Sequence, residues 1–288
     1  MKQKKHTKKQ TILIVFIVLL IAWGIGNLLP GEKRATKPFF NQDRPMIIAH
    51  QGGEHLAPSS TMAAFNQAVE LGVDAIEFDI HITKDQHLVA IHDPTVDRTT
   101  DGVGRVDELS LEEIKELDAG FYFQDQKGEY SFRGRGEKIL TVNEIFDEFS
   151  NSKMVIEIKD TNALESYELI VTKLWNLIVE YELEEKVLIA SFDQEIIDMV
   201  DELAEGKVAI SGGKSEVTQL VVLNKVFLNG LYKPSVDVIQ IPTEEMIFDL
   251  TSKRLIKAAN RKGLEVHYWT INDIEAMRYL LNQGASGL

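Results

Sequence analysis

The sequence predicts an α/β barrel, and three observations carry that expectation. Short β-branched runs alternate with amphipathic helical segments from residue 45 onward. The length of 288 residues, 44% hydrophobic, suits one large core of about the 250 residues that such barrels occupy. A single hairpin interrupts the alternation near Asp85 and gathers ionisable residues at one place.

The chain divides by composition before any strand is read. Residues 1–10 form a basic tail with Lys2, Lys4, Lys5, Lys8 and Lys9. Residues 11–29 carry no charge and approach the roughly 20 residues that span a bilayer, so they read as one transmembrane anchor. The lysines before the run place the N-terminus in the cytoplasm and the rest outside, at the cell membrane. A cleaved signal peptide is the competing reading, and no Ala-x-Ala site follows the run. Residues 30–44 are polar and aperiodic and read as a tether; residues 45–288 form the barrel domain.

The net charge of −14 becomes −19 without the first ten residues, with 26 basic against 45 acidic. Such a body has no electrostatic footprint for nucleic acid, although a local cationic pocket remains compatible with one phosphate. There are no cysteines, which excludes thiol nucleophiles, disulfides and thiolate-held zinc.

Strands are expected at 46–49, 75–82, 88–92, 154–158, 187–190, 208–210, 238–241 and 266–269. Helix starts are marked by a capping residue three positions before a carboxylate: Ser110 with Glu113, Thr141 with Glu144, and Asn272 with Glu275. A helix over 61–71 turns Ala64, Phe65, Ala68 and Val69 toward the sheet.

Too few residues separate Lys84 from His87 for a crossover helix, so the two runs form a hairpin. A two-residue Asp85-Gln86 turn puts Asp79 opposite His92, and Glu77 shares a face with Asp79 by strand alternation. Two carboxylates on one face of an apolar barrel need a positive partner. A hard divalent cation, calcium or magnesium, supplies it, with Glu157 as a third oxygen donor. Ion pairing with barrel lysines such as Lys159 is the alternative. His50 and His92 each end a strand, where barrel enzymes place their sites, and two histidines can share acid and base work on a phosphodiester near neutrality. Lys159 has the parity of Glu157 and suits either a phosphate oxygen or a carboxylate. Trp269, at a strand end, reads as pocket lining or as packing. His81 and His87 are expected in solvent. Gly213-Lys214-Ser215 lacks the earlier glycine of a phosphate loop, and no serine-hydrolase elbow exists.

Gly72-Val73-Asp74-Ala75-Ile76-Glu77-Phe78-Asp79, Thr83-Lys84-Asp85, His92-Asp93, Asp97-Arg98-Thr99-Thr100, Glu157-Ile158-Lys159 and Trp269-Thr270-Ile271-Asn272 together resemble the glycerophosphodiester phosphodiesterase family, from Ile47 to the final residue. The resemblance implies a distorted (β/α)8 TIM barrel with a hairpin after the first helix. It implies His50 and His92 as the catalytic pair, and Ca2+ or Mg2+ at Glu77, Asp79 and Glu157. It also implies release of glycerol 3-phosphate and an alcohol through a cyclic phosphate.

Gln51 stands where the family carries an arginine, which removes a cation expected beside the phosphate, and Arg133 or Arg135 is the candidate replacement. The final Gly-Ala-Ser-Gly-Leu resembles the start of the family's last strand, which is expected to be truncated. Two other readings stay open: lysophospholipase D-type cleavage of lysolipids at the membrane, and a catalytically weakened envelope binding protein.

Overall fold

The computed structural model describes residues 8–28 and 33–288, leaving out the side chains at 19, 22 and 25–28. Most of the expected basic tail and the first part of the tether lie outside the described residues. The apolar run forms helix α1 (Lys8–Leu28), with Ile12, Phe16, Ile21 and Trp23 exposed. Among the described residues, no helix is long and apolar enough to cross a membrane. The expected span at 11–29 falls on this helix, with residue 29 and the side chains at 19, 22 and 25–28 outside the described residues.

The body follows as β1 (Ile48–Ala49), α2 (Met62–Glu70), β2 (Ala75–Ile82), β3 (Leu88–Ala90), α3 (Leu111–Glu116), α4 (Val142–Phe149), β4 (Lys153–Ile158), α5 (Tyr167–Glu180) and β5 (Val187–Ala190). It continues with α6 (Gln194–Ala204), β6 (Ala209–Ile210), α7 (Lys214–Lys225), β7 (Val238–Ile241), β8 (Glu244–Glu245), β9 (Phe248–Asp249), α8 (Lys253–Arg261), β10 (Glu265–Tyr268) and α9 (Ile274–Gln283). The main strands fall where the β-branched runs predict them. The small β8–β9 hairpin does not, since its four strand residues are exposed and show no alternation.

Parallel pairing runs β1-β2-β4-β5-β6, with β3 antiparallel on β2 and β10 parallel to β7. A bridge from Ser211 to Val238 joins β6 to β7, and Gly287 bridges both His267 and Met46. Residues 286–288 therefore occupy the place of the last barrel strand, with Ile48 N donating to Leu288 O at 2.9 Å and Tyr268 N to Gly287 O at 3.1 Å. The strand expected to be missing is represented by these residues, and the ring closes through them.

Outward side chains such as Phe78, Ile80, Ile156 and Ile189 pack under the helices in one core. Thr61 caps α2, which buries Ala64, Phe65 and Ala68, while Val69, expected on the same stripe, is 42% exposed. The Ser110 and Thr141 capping boxes form as predicted. The third does not: Asp273, not Asn272, caps α9 by accepting from Ala276 N at 2.8 Å. An aspartate offers the better acceptor one position nearer the helix.

The segment read as a tether is docked from residue 34 onward. Phe39 and Phe40 plug the barrel end where the strands begin, against Ala75, Val155, Leu188, Ala209 and Val238. Lys153 Nζ donates to Phe39 O at 2.6 Å, Lys37 Nζ to Gly206 O, and Arg34 Nε to the buried Asp237 at 2.8 Å. Arg34 N also donates to Lys262 O at 2.8 Å, beside a Gly263 whose Cβ, if present, would lie 2.3 Å from Arg34 O. Polarity hid this docking in the sequence, because its bonds are made by long basic side chains and by the backbone. Phe39→Ala is expected to cost roughly 3–5 kcal/mol in urea unfolding, the range for removing a buried aromatic; an unchanged midpoint would show that the plug carries no stability.

Candidate active site

The opposite end of the barrel, where the strands finish, opens into a cavity of about 440 Å³. Its lining includes His50, Glu77, Asp79, His92, Glu157, Lys159 and Trp269. Strand alternation turns Glu77 and Asp79 inward from β2, and the parallel register sets Asp79 level with Glu157 on β4.

The hairpin register differs from the expectation by one residue. Observed pairs are Ile80↔Ala90, His81↔Val89 and Ile82↔Leu88. Asp79 O consequently accepts from Ile91 N at 2.9 Å, so Asp79 faces Ile91 and not His92. The cause is local. Thr83 Oγ1 accepts from His87 N at 2.9 Å and donates to Asp85 Oδ1 at 2.6 Å, while Gln86 takes a left-handed φ of 68°. The turn thereby holds three residues in place of two. His92 reaches the site nonetheless, because the ladder ends after Ala90 and the chain bends back. Its Nε2 lies 3.3 Å from Lys159 Nζ.

Lys159 lines the same cavity and is only 6% exposed. Its Nζ lies 3.2 Å from Asp79 Oδ1 and 2.9 Å from Glu157 Oε1, the latter without hydrogen-bond alignment. Those two charges outweigh the burial that would deprotonate it, and its pKa is raised. Glu77 accepts from Gln51 N at 2.6 Å. Burial, with Asp79 next, pushes the Glu77 carboxyl well above the usual range, and the same causes in the same order raise Glu157.

As the side chains stand, among the described residues no group of three or more His, Cys, Asp or Glu is arranged to hold a metal ion. Lys159 sits where the expectation put a cation, so Asp79 and Glu157 pair with an ammonium group, and Glu77 does not. The donor set still fits a hard divalent ion. It offers three carboxylates whose charge one lysine offsets only in part, and among the described residues the buried Asp79 Oδ2 has no hydrogen-bond partner.

Other predicted residues land differently. Gln51 is 3% exposed with its Oε1 unpartnered, and it does not line the cavity, so only its backbone serves the site. Arg133 stacks on Tyr130 and Phe121, with its guanidinium carbon 3.7 and 4.2 Å from the ring centroids, and neither it nor Arg135 lines the cavity. Their cationic faces are taken by the local aromatic cluster. His81, expected in solvent, is buried between Ile91 O and Thr161 Oγ1, each 2.9 Å away, and burial pushes its pKa down to about 4. His87 is exposed as expected. Trp269 packs edge-on against Phe192 with ring centroids 5.5 Å apart.

Sequence reading missed the residues that hold the histidines. His92 Nδ1 lies 2.7 Å from Asp93 Oδ1, and Arg98 Nε donates to Asp93 Oδ2 at 2.6 Å. His50 Nδ1 lies 3.1 Å from Glu54 Oε1. Burial opposes a charge on His50, but the Glu54 hydrogen bond and the Glu77, Glu54 and Asp79 charges prevail and push its pKa up to about 9. A raised folded pKa means that the imidazolium adds stability fully below the ordinary 6.5 and loses it as pH rises through about 9. In chelator-treated protein, the melting-temperature gap between wild type and His50→Gln is therefore expected to shrink from about pH 6 to about pH 9.5. A gap constant over that range would rule the charge out.

Residues 50–288 match the glycerophosphoryl diester phosphodiesterase family. A glycerophosphodiester phosphodiesterase of Caldanaerobacter subterraneus subsp. tengcongensis is 32% identical over 248 residues, covering 85% of this chain and 93% of its own. One from Bacillus subtilis is 27% identical over 290 residues, covering 98% and 94%. Among solved structures, the glycerophosphoryl diester phosphodiesterase domain of an uncharacterized Mycobacterium tuberculosis protein superposes with a TM-score of 0.72 at 17% identity, covering 85% and 95%. An Oleispira antarctica phosphodiesterase in complex with the product sn-glycerol-3-phosphate gives 0.69 at 23%, covering 85% and 92%. These structural likenesses support the TIM-barrel fold, and the match over 50–288 carries the assignment: the chain belongs to the glycerophosphoryl diester phosphodiesterase family and is a phosphoric diester hydrolase.

Proposed function

We propose that this enzyme cleaves glycerophosphodiesters to glycerol 3-phosphate and an alcohol by shared acid and base catalysis at His50 and His92. The observation that carries the reading is the convergence of both imidazoles and Lys159 on one carboxylate-lined cavity. One histidine takes the proton from the glycerol hydroxyl next to the phosphate as its oxygen bonds to phosphorus. The other gives a proton to the departing alkoxide as the P–O bond breaks, leaving a cyclic phosphate. Water then opens the ring with the two roles exchanged, which restores both protonation states.

Glu77, Asp79 and Glu157 would hold a divalent Ca2+ or Mg2+, which would neutralise the diester's charge. Lys159 is placed to move from its carboxylates to a phosphate oxygen once a metal shares their charge. Trp269 and Phe192, packed edge-on, line the cavity as an aromatic wall for the bound diester.

A second reading is favoured by one observation. Ile47, Leu56, Leu71, Met277 and Leu281 extend the cavity's lining as apolar surface, which suits the acyl chain of a lysolipid. The exposed apolar face of α1 and the lysines before it support a place at the cell membrane with the domain outside.

Turnover of glycerophosphocholine is expected to fall by about 10²–10⁴ in His50→Ala and in His92→Ala. It is also expected to disappear in chelator and return with Ca2+ or Mg2+. Retained activity in His50→Ala would end the mechanism, and faster hydrolysis of lysophosphatidylcholine than of glycerophosphocholine would select the second reading. For the membrane placement, the full chain is expected in the membrane fraction, and a chain starting at residue 33 in the soluble one. Equal partitioning of the two would remove it.

A further inference from the structure

The chain leaves β1 through a turn that ordinary residues resist. Gln51, Gly52 and Gly53 have φ values of 47°, 73° and 96°, all left-handed. At Gly52 a Cβ would lie 2.7 Å from Phe65 Cδ1, so only glycine fits against α2. Gly53 N and Glu54 N both approach His50 O, at 2.8 and 3.4 Å, so the backbone doubles back and returns residue 54 beside residue 50.

From this geometry we infer that Glu54 is the positioning residue of His50, fixing the tautomer with hydrogen on Nδ1 so that Nε2 is the nitrogen offered to the substrate. A carboxylate can only accept, and the imidazole nitrogen 3.1 Å from Glu54 Oε1 must therefore carry the hydrogen. The pair is partly sheltered, with His50 31% and Glu54 26% exposed, so water screens it less than a surface pair. Fixing the ring leaves Nε2 as the nitrogen that can exchange a proton with a hydroxyl or an alkoxide.

The two histidines are held by the same device with different charge. Asp93, which holds His92, is itself clamped by Arg98 at 2.6 and 3.2 Å. Among the described residues Glu54 pairs with His50 and with no arginine or lysine. The charged and titratable groups around the pair are Glu77 and Asp79 on the His50 side, with His55 and Arg98 on the Glu54 side.

The inference rests on the phosphodiesterase reading for its kinetic consequence but not for its geometry, and two measurements separate them. In metal-loaded full-length enzyme acting on glycerophosphocholine, Glu54→Ala and the longer Glu54→Met are each expected to lower kcat roughly 10- to 100-fold with KM nearly unchanged. Glu54→Gln, whose amide oxygen still accepts from Nδ1, is expected to recover most of that loss. Nitrogen-15 spectra of His50, taken at a pH where the ring is neutral, are expected to show the Nδ1–H form in wild type and Glu54→Gln. In Glu54→Ala and Glu54→Met they are expected to show a tautomer mixture. Wild-type kcat in both acceptor-free variants, or an Nδ1–H signal that persists in them, would overturn the role of Glu54. A wild-type enzyme that shows the tautomer but hydrolyses no glycerophosphodiester would overturn the functional reading instead.

Discussion

Everything at the open end of this barrel depends on the ion pairing of one buried lysine with two carboxylates, Asp79 buried and Glu157 partly so. Lys159 meets Asp79 and Glu157 on adjacent strands set level by the parallel register. Charges taken out of water cost several kcal/mol each unless paired, and Glu77 stands two residues below, where among the described residues a backbone N–H from Gln51 is its one hydrogen-bond donor. The site is therefore negative and under-compensated, and an anionic diester would be repelled from it unless more positive charge arrived. The need for a cation and the ability to admit phosphate are the same electrostatic fact seen from two sides.

The histidines are built into that field by their backbones. His50 sits on a left-handed turn that only the glycines make affordable, and His92 sits where β3 gives up its ladder. Each presents its Nδ1 to a carboxylate close in sequence, four residues away in one case and adjacent in the other. Local sequence thus sets ring orientation, while the long-range register of β2 and β4 sets what the rings face.

Much of this was legible in the residues. β-branched runs located the strands because parallel strands buried on both faces need them, and alternation alone put Glu77 with Asp79. The Thr83 hydroxyl defeated the register argument: one side-chain turn lengthened the hairpin loop by a residue and changed the partner of Asp79. Gln51 was placed in the pocket by motif position, whereas a φ of 47° directs its backbone there and leaves its side-chain oxygen buried and unpartnered. The roles of Glu54 and of Asp93, the latter seen only as part of a motif, escaped notice because a carboxylate near a histidine is common, and the fold shows each in contact with its histidine. Residues 34–44 escaped for the opposite reason, since a Lys/Pro-containing segment without period gives no sign that it docks.

That docked segment gives the molecule a direction. Phe39 and Phe40 stopper one pole of the barrel, Arg34 is tied down beside Gly263, and the catalytic mouth lies at the other pole. Residues 34–40 therefore hold the pole opposite the mouth. Substrate and product pass through the free pole, so the N-terminal segment and the reacting phosphate never compete for the same end of the barrel.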